Sequence, residues 1–238
     1  MAHEDALPRE TILILGGTAE AVTLAAELAA ANPGARIVTS LAGRTREPAP
    51  LAGETRIGGF GGAAGLAMYL RENAVTRLID ATHPFATQIS ANAVEAARIT
   101  GVPLETRTRK AWTRQSGDIW IEVATLQEAC AAIPFPTPKR PVRVLLALGS
   151  QHIGVFASRD DVHFVVRMVD APGHPLPFTR CTLITGKPGA TVEAEVALLR
   201  EHAITHVVCR NSGGAGAYAK IKAARHLGLP VIMIGRPQ

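Results

Sequence analysis

Cysteine, aromatic residues and long apolar runs are all scarce in this sequence. Its 238 residues include three cysteines, and only 4% are Phe, Trp or Tyr. Cys130, Cys181 and Cys209 lie far apart without a Cys-x-x-Cys spacing, which argues against a disulfide framework and a zinc site. No apolar run approaches the ~20 residues that a membrane helix needs. We therefore predict a chain that binds no metal and no membrane.

A basic leader and a basic tract are also missing. The chain starts Met-Ala-His-Glu-Asp, without the basic region and apolar core of a secretory signal, so we expect a cytoplasmic protein. The formal charge is +5, and the arginines are spread along the chain without stacking aromatics. This distribution excludes nucleic acid as a predicted partner and favours a small polyanionic ligand.

The stretch from Thr11 to Glu20 carries the first functional signal. Five β-branched and aliphatic residues precede Gly16, Gly17 and Thr18, and an alanine-rich helical pattern follows. In a parallel sheet, such a strand–turn–helix places backbone N–H groups at the positive end of a helix dipole, where a phosphate can bind. The complete Gly-x-Gly-x-x-Gly fingerprint is absent, so an ordinary βα turn is the alternative.

The second predicted strand, residues 36–40, ends without an acidic residue. A carboxylate at this position favours NAD, because it bonds both ribose hydroxyls and repels a 2′-phosphate. Here the chain offers Ser40, Gly43 and Arg44 instead. A hydroxyl and a guanidinium can bind the 2′-phosphate through charge-assisted hydrogen bonds. We therefore predict NADPH as the cofactor, against the alternative of a solvated loop arginine.

A histidine follows the predicted strand at residues 76–80. The segment continues Ala81-Thr82-His83-Pro84-Phe85 and then enters a helical pattern. Ligands of open α/β sheets bind at the carboxyl ends of the strands. An imidazole there can donate a proton near neutral pH, so His83 is the candidate acid, with a purely structural loop histidine as the alternative.

The second half of the chain repeats the first. Residues 71–76 (Arg-Glu-Asn-Ala-Val-Thr) recur as residues 200–205 (Arg-Glu-His-Ala-Ile-Thr), and a strand followed by Gly149-Ser150 matches the opening turn. Matches at a nearly constant offset indicate duplication. We predict two similar Rossmann-like α/β domains with mainly parallel sheets and a cleft between them, at residues 1–114 and 115–238. The sequence does not determine whether terminal strands exchange between the two sheets, or which sheet the strand at residues 118–123 joins.

A second glycine-rich turn lies at residues 210–216. It follows a predicted strand and contains Asn211, Ser212, Gly213 and Gly214, with Lys220 on the helix beyond. We expect this turn to repeat the geometry of a phosphate cradle. A solvated surface lysine is the alternative for Lys220.

Several of these motifs together resemble the precorrin-6A reductase family of cobalamin biosynthesis, which includes cobalt-precorrin-6A reductases. The resemblance covers almost the whole chain, and its most specific parts are residues 80–86 and 212–220. The matching pieces are Leu15-Gly16-Gly17-Thr18 with Glu20-Ala21, Ser40 with Gly43-Arg44, Asp80 to Ala86, Arg109 with Trp112, Leu148-Gly149-Ser150, Ser212-Gly213-Gly214 with Lys220, and Pro230 to Ile234 before Arg236-Pro237.

This resemblance implies that NADPH reduces one double bond of precorrin-6A, a tetrapyrrole bearing several carboxylates, to give precorrin-6B. Cofactor binding is then assigned to Gly16, Gly17, Thr18, Ser40, Gly43, Arg44, Thr82, His83, Pro84 and Phe85, with His83 catalytic. Substrate binding is assigned to Arg109, Trp112, Ser150, Lys187, Asn211, Ser212, Gly213, Gly214 and Lys220. Transfer of the product to neighbouring pathway enzymes is a further expectation.

Other functions fit parts of the same pattern. A cobalt-containing substrate of the anaerobic route is one alternative. An S-adenosylmethionine-dependent methyltransferase is another, although the missing acidic residue after the second strand argues against it. A non-catalytic dinucleotide sensor or tetrapyrrole carrier is the third. The identity of the proton donor, the face that receives the hydride and the oligomeric state are left open by the sequence.

Overall fold

A computed structural model describes residues 10–43, 50–149 and 152–237. The chain divides into two compact units after Arg109. We expected this division after residue 114. Residues 110–114 group with the second unit because the Trp112 backbone N–H donates to Asn211 Oδ1 at 2.8 Å, and Asn211 Nδ2 donates back to the Trp112 carbonyl at 2.9 Å.

The described part of the first unit forms a five-stranded parallel sheet in the order β3-β2-β1-β4-β5. Central β1 is buried along its whole length, as expected for a strand covered on both faces. The strands are β1 Thr11–Leu15, β2 Arg36–Leu41, β3 Glu54–Ile57, β4 Arg77–Asp80 and β5 Leu104–Thr106, and the helices are α1 Ala19–Ala31, α2 Gly62–Glu72 and α3 Thr87–Thr100.

The second unit contains a six-stranded parallel sheet in the order β6-β11-β10-β7-β8-β9. The strand whose sheet the sequence left open is β6, which pairs with β11 at one edge. The strands are β6 Trp120–Val123, β7 Arg143–Ala147, β8 His163–Met168, β9 Cys181–Thr185, β10 His206–Arg210 and β11 Val231–Ile234, and the helices are α4 Leu126–Ala131, α5 Val192–Glu201, α6 Ala219–His226 and the 3-10 helix Gly154–Ser158.

The predicted fold class, two similar α/β domains with parallel sheets, is confirmed. The order of β3-β2-β1-β4-β5 recurs in the second unit as β9-β8-β7-β10-β11. The first residue of the central strand, β1 or β7, makes the same pair of hydrogen bonds in both units. Thr76 Oγ1 donates to the Thr11 carbonyl and accepts from its N–H, both at 3.1 Å, and Thr205 Oγ1 makes the same two bonds to Arg143 at 3.0 and 3.1 Å.

The repeated hexapeptide also contains the same strained turn in both units. Ala74 and Ala203 have φ of 47° and 48°, in the left-handed region. The Ala74 N–H donates to the Arg71 carbonyl, and the Ala203 N–H to the Arg200 carbonyl. A Cβ makes this conformation costly by about 1–2 kcal/mol, whereas glycine adopts it freely.

Glycine at either position is therefore expected to stabilise the chain. We expect Ala74→Gly and Ala203→Gly each to raise the free energy of unfolding by about 0.5–1 kcal/mol, because the relieved strain exceeds the added freedom of the unfolded chain. Urea unfolding measures the change. Ala25→Gly, within α1, is the control and should destabilise; equal losses at Ala74 and Ala203 would contradict the interpretation.

Neither bilayer-spanning helices nor metal clusters occur in the described ranges. No helix there has the length and apolar content to cross a membrane. The same residues contain no group of three or more His, Cys, Asp or Glu side chains arranged to hold a metal ion.

Candidate functional site

The turn between β1 and α1 has the geometry of a phosphate cradle. A Cβ on Gly16 would lie 2.8 Å from Thr39 Cγ2, so only glycine lets the turn pack against β2. Gly17 has φ +105°, and among the described residues no atom beyond Gly17 and its two chain neighbours lies within 4 Å of its Cβ position, so the space beside it is open. A flat or anionic group can therefore approach this backbone closely.

Thr18 fixes the start of α1. Its Oγ1 accepts from the Ala21 N–H at 3.1 Å as the N-cap and donates to the Ala81 carbonyl at 3.0 Å. These two bonds hold the N-terminus of α1 against the end of β4. The Thr18 side chain thus fixes the geometry of the turn between β1 and α1.

At the end of β2, Ser40 is buried and its carbonyl accepts from the Gly16 N–H at 2.9 Å. The predicted site residue Gly43 follows in an exposed turn with φ +73°. Arg44, which the sequence assigns to the 2′-phosphate, lies outside the described residues. Its role stays a prediction.

Arg56 lies close to the end of β2 and was not predicted from the sequence as a site residue. It lies on β3 and is the parallel-ladder partner of Ser40, with Nη1 3.5 Å from Ser40 Oγ. Its guanidinium donates to the carbonyls of Gly58 and Gly59 at 2.5 and 2.8 Å, and its Cζ lies 3.9 Å from the centre of the Phe60 ring. A fixed cation therefore borders the end of β2.

Arg56 was missed because the sequence did not reveal β3 as a strand. Edge strand β3 reads Glu-Thr-Arg-Ile and is largely exposed, so it shows no apolar alternation. A charged residue framed by a buried strand on one side and the Gly-Gly-Phe loop on the other could have been found only by recognising β3.

At the end of β4, an acidic residue shapes the loop that carries His83. Asp80 is 4% exposed, and its Oδ1 accepts from the Thr82 N–H at 3.0 Å and from Thr82 Oγ1 at 2.7 Å. The backbone then turns tightly, with the Ala86 N–H donating to the His83 carbonyl at 2.7 Å. Helix α3 starts at Thr87 without a side-chain cap.

The ring of His83 has a defined hydrogen-bonding state. The Phe85 N–H donates to His83 Nδ1 at 3.2 Å, so Nδ1 acts as the acceptor. A neutral imidazole that accepts at Nδ1 carries its proton on Nε2. Delivery of a proton from this ring therefore requires its imidazolium form, in which both nitrogens carry a proton. The neighbouring residues Thr82, Pro84 and Phe85 are half-buried.

Arg109 lies in the first unit, beside the phosphate cradle. Its Nη1 is 3.0 and 2.9 Å from the two carboxylate oxygens of Glu20, on the first turn of α1. Partial burial alone would raise the pKa of Glu20. Hydrogen bonds from its own backbone N–H and from Arg109, together with the Arg109 charge, outweigh burial and lower this pKa. Glu20 is thus a stable anion at the helix N-terminus.

In the second unit, the glycine turn after β10 binds the Trp112 segment. Besides the two Asn211 bonds, Trp112 Nε1 donates to the Gly214 carbonyl at 2.7 Å. Gly213 has φ +70°, and a Cβ there would lie 2.1 Å from the Lys110 carbonyl oxygen. Helix α6 starts only at Ala219. The turn therefore differs from the β1–α1 cradle that we expected it to repeat.

The other residues that were predicted to bind the substrate lie in different environments. Lys220 is 4% exposed, donates to the Ala217 carbonyl at 2.8 Å and lies 5.1 Å from the centre of the Trp112 ring. Ser212 Oγ lies 3.4 Å from the Arg210 carbonyl, which is at the limit of a hydrogen bond. Lys187 is exposed, and Ser150 lies outside the described residues.

The corner of the second unit that corresponds to Ser40 is closed by a buried ion pair. Arg167, near the end of β8, donates through Nη1 to Glu195 Oε1 at 2.6 Å. The same oxygen accepts from the Gly189 N–H at 2.7 Å. Both side chains are at least 95% buried, with exposures of 5% and 1%.

Comparison with known proteins assigns the family. The family model described as precorrin-6x reductase CbiJ/CobK matches residues 11–238. The chain belongs to this family. A precorrin-6A reductase from Rhodobacter capsulatus is 50% identical over 226 residues, covering 95% of this chain and 88% of the relative. A cobalt-precorrin-6A reductase from Priestia megaterium is 30% identical over 239 residues, covering 95% and 91%.

A solved structure of CobK precorrin-6A reductase has the same fold. It superimposes with a TM-score of 0.88 at 49% sequence identity, covering 96% of this chain and 89% of the other. In the first unit, the described residues that the sequence assigns to the cofactor lie at the carboxyl ends of β1, β2 and β4. In the second unit, the structure groups Trp112, Asn211, Gly213, Gly214 and Lys220.

Proposed function

We propose that this chain is an NADPH-dependent reductase that saturates one double bond of precorrin-6A to give precorrin-6B. Membership of the precorrin-6x reductase family carries the proposal. The greater identity to a precorrin-6A reductase, 50% against 30% for a cobalt-precorrin-6A reductase, favours the cobalt-free substrate.

The first unit is the better nucleotide site of the two. Its opening turn leads directly into α1 with an N-cap at Thr18, whereas β7 is followed by the 3-10 helix Gly154–Ser158. The Ser40 corner carries a hydroxyl, whereas the equivalent corner of the second unit is filled by Arg167 and Glu195. The open space beside Gly17 fits a pyrophosphate.

The second strand and its neighbour favour the phosphorylated dinucleotide. Ser40 and Arg56 offer a hydroxyl and a guanidinium 3.5 Å apart, with no carboxylate between them in the ladder. Arg44 follows in sequence. An anionic 2′-phosphate matches this pair, whereas a carboxylate at the same place would repel it.

Arg56→Ala tests this assignment. We expect a rise of about tenfold in the NADPH Michaelis constant, ~1.4 kcal/mol, because a charge-assisted contact to the 2′-phosphate is lost. The constant for NADH should change much less, which separates this role from general support of the Gly58-Gly59 loop. Arg44→Ala is measured in parallel.

The control for this prediction is Arg36→Ala. Arg36 is the first residue of β2, and its guanidinium pairs with the Glu54 carboxylate at the opposite end of β2 and β3 from Ser40 and Arg56. Arg36→Ala should leave the Michaelis constants for NADPH and NADH unchanged. Equal increases with NADPH and NADH for Arg56→Ala would remove Arg56 from 2′-phosphate recognition.

The chemistry requires a hydride and a proton. A reduced nicotinamide, when bound, supplies the hydride to an electron-poor carbon of the macrocycle. As a neutral ring, His83 accepts from the Phe85 N–H at Nδ1. Its imidazolium form, which carries a proton on both ring nitrogens, delivers one proton and returns to this neutral ring. Asp80 and Thr82 fix the loop that carries this ring. His83 is therefore positioned at the strand end to deliver the proton.

The substrate bears acetate and propionate groups, so its recognition calls for several cations and apolar walls. In the second unit, Trp112 and Lys220 provide an aromatic ring and an ammonium group 5.1 Å apart. Lys187 is an exposed cation. We assign substrate binding to these residues and to the Asn211–Gly214 turn, with Ser150 retained from the sequence pattern.

An absorbance assay tests the whole proposal. Purified chain, precorrin-6A and NADPH should show loss of nicotinamide absorbance together with a changed macrocycle spectrum. Cobalt-precorrin-6A serves as the competing substrate, and faster turnover of it would place the chain in the anaerobic route. Tight binding of substrate and NADPH without oxidation would identify a carrier instead.

A further inference from the structure

Arg109 forms an ion pair with Glu20 that the sequence did not predict. The resemblance assigns it to the tetrapyrrole, and in the structure its Nη1 donates to both carboxylate oxygens of Glu20 on the first turn of α1. The Arg109 side chain is 18% exposed and Glu20 is 45% exposed, so the guanidinium is the better shielded partner. The pair lies beside Thr18, the N-cap of the same helix.

The path of the chain explains how Arg109 reaches this position. Strand β5 pairs with β4, and the Arg107 N–H extends the pairing by donating to the Asp80 carbonyl at 2.8 Å. Arg109 then bonds to α1, which follows β1. Because β1 and β4 are neighbours in the sheet, this segment crosses the point where the strand order reverses. Dinucleotides bind at that point in open α/β sheets.

Arg109 and Glu20 neutralise each other's charge at this point. Glu20 places a carboxylate at a helix N-terminus that would otherwise favour a phosphate. Arg109 neutralises this carboxylate through one terminal nitrogen, Nη1. A guanidinium has five N–H donors arranged in a fork, so it can bond a carboxylate on one side and a phosphate on another.

We propose that Arg109 binds the pyrophosphate of the dinucleotide and that Glu20 is the positioning residue that fixes its guanidinium at the cradle. This inference rests on the proposed cofactor. Loss of Arg109 then acts twice: one contact to the pyrophosphate disappears, and the Glu20 carboxylate is left unneutralised next to it. Removal of the Glu20 charge as well restores part of the loss.

Three assignments of an arginine at this site predict different binding patterns. A pyrophosphate contact affects NADP+ and NAD+ alike, because both contain this group. A 2′-phosphate contact affects NADP+ alone. A contact to the tetrapyrrole leaves the affinity of the substrate-free enzyme for both dinucleotides unchanged and raises the Michaelis constant of precorrin-6A.

The experiment is calorimetric titration of the full chain, without substrate, with NADP+ and with NAD+. Arg109→Gln should weaken both by about tenfold or more. Adding Glu20→Gln to that variant should recover several-fold of the loss, and Arg109→Lys should lie between Arg109→Gln and the unsubstituted chain. Arg98→Gln, which breaks the exposed Arg98–Glu95 pair on α3, is the matched control and should leave both affinities unchanged.

The outcomes are distinguishable. Unchanged dinucleotide affinities in a folded Arg109→Gln chain, with thermal unfolding as the check, would overturn this inference and leave the proposed function standing. A loss confined to NADP+ would overturn it in favour of 2′-phosphate binding. Failure of the unsubstituted chain to bind either dinucleotide would overturn the proposed cofactor and this inference together.

Discussion

Glu195→Ala is expected to lower the free energy of unfolding by about 3–5 kcal/mol, the cost of leaving a buried charge without its partner. Arg167 is 95% buried and has Glu195 as its ion-pair partner. Within the described residues, its Nη2 and the Glu195 Oε2 have no hydrogen-bond partner. The pair therefore depends on the single strong contact between Nη1 and Oε1, and the Gly189 N–H would also lose its acceptor.

Urea unfolding followed by tryptophan fluorescence measures this loss. Trp112 and Trp120 are the two tryptophans of the sequence, and both belong to the core of the second unit, so the signal reports on the unit that contains the pair. The double variant Arg167→Met with Glu195→Leu should recover most of the stability, because no buried charge remains.

The exposed pair on α3 again provides the control. Glu95→Ala removes the carboxylate of the Arg98–Glu95 contact, and we expect no measurable change in unfolding, since solvent screens exposed pairs. A Glu195→Ala chain with the stability of the unsubstituted protein would show that Arg167 finds another partner on relaxation and that the pair is dispensable.

His83→Ala is expected to lower turnover by about 100-fold or more, in the range of a lost general acid. Proton delivery from the imidazolium form returns the ring to the neutral form, in which Nδ1 accepts from the Phe85 N–H. Steady-state turnover at saturating NADPH and precorrin-6A measures the effect. The dissociation constant of NADP+ should change little, since the proposed role concerns proton delivery.

A structural role of His83 is tested by His83→Asn. The asparagine oxygen can accept from the Phe85 N–H in place of Nδ1, but the side chain cannot act as an acid at neutral pH. Turnover as low as that of His83→Ala supports proton donation. Recovery of normal turnover in His83→Asn would mean that the ring only holds the loop, and that the proton comes from water or from the substrate.

The sequence predicted the local elements well because apolar periodicity and glycine turns act over short distances. The buried run of β1 and the Gly16-Gly17-Thr18 turn specify a strand, a tight turn and a helix start without reference to distant residues. The repeated hexapeptide likewise predicted two similar domains, and within it Ala74 and Ala203 share the same backbone conformation. Edge strand β3 was missed because its side chains are polar and exposed.

Candidate residues were harder to place, since a residue's role depends on what folds against it. The Asn211–Gly214 turn looked like a second cradle by composition, yet it holds Trp112 through three hydrogen bonds. Arg56 was absent from the predicted site, and register alone sets it beside Ser40.

The chain's residues by themselves determined the α/β class, the duplication, the nucleotide-type turn after β1 and the family, because each is written in contiguous segments. Tertiary structure decided the partners of charged groups: Arg109 with Glu20, Arg56 with Ser40, and Arg167 with Glu195. These pairs join residues far apart in the chain. Sheet register and helix packing, which no local pattern encodes, bring them within a few ångströms and so set the electrostatics of the site.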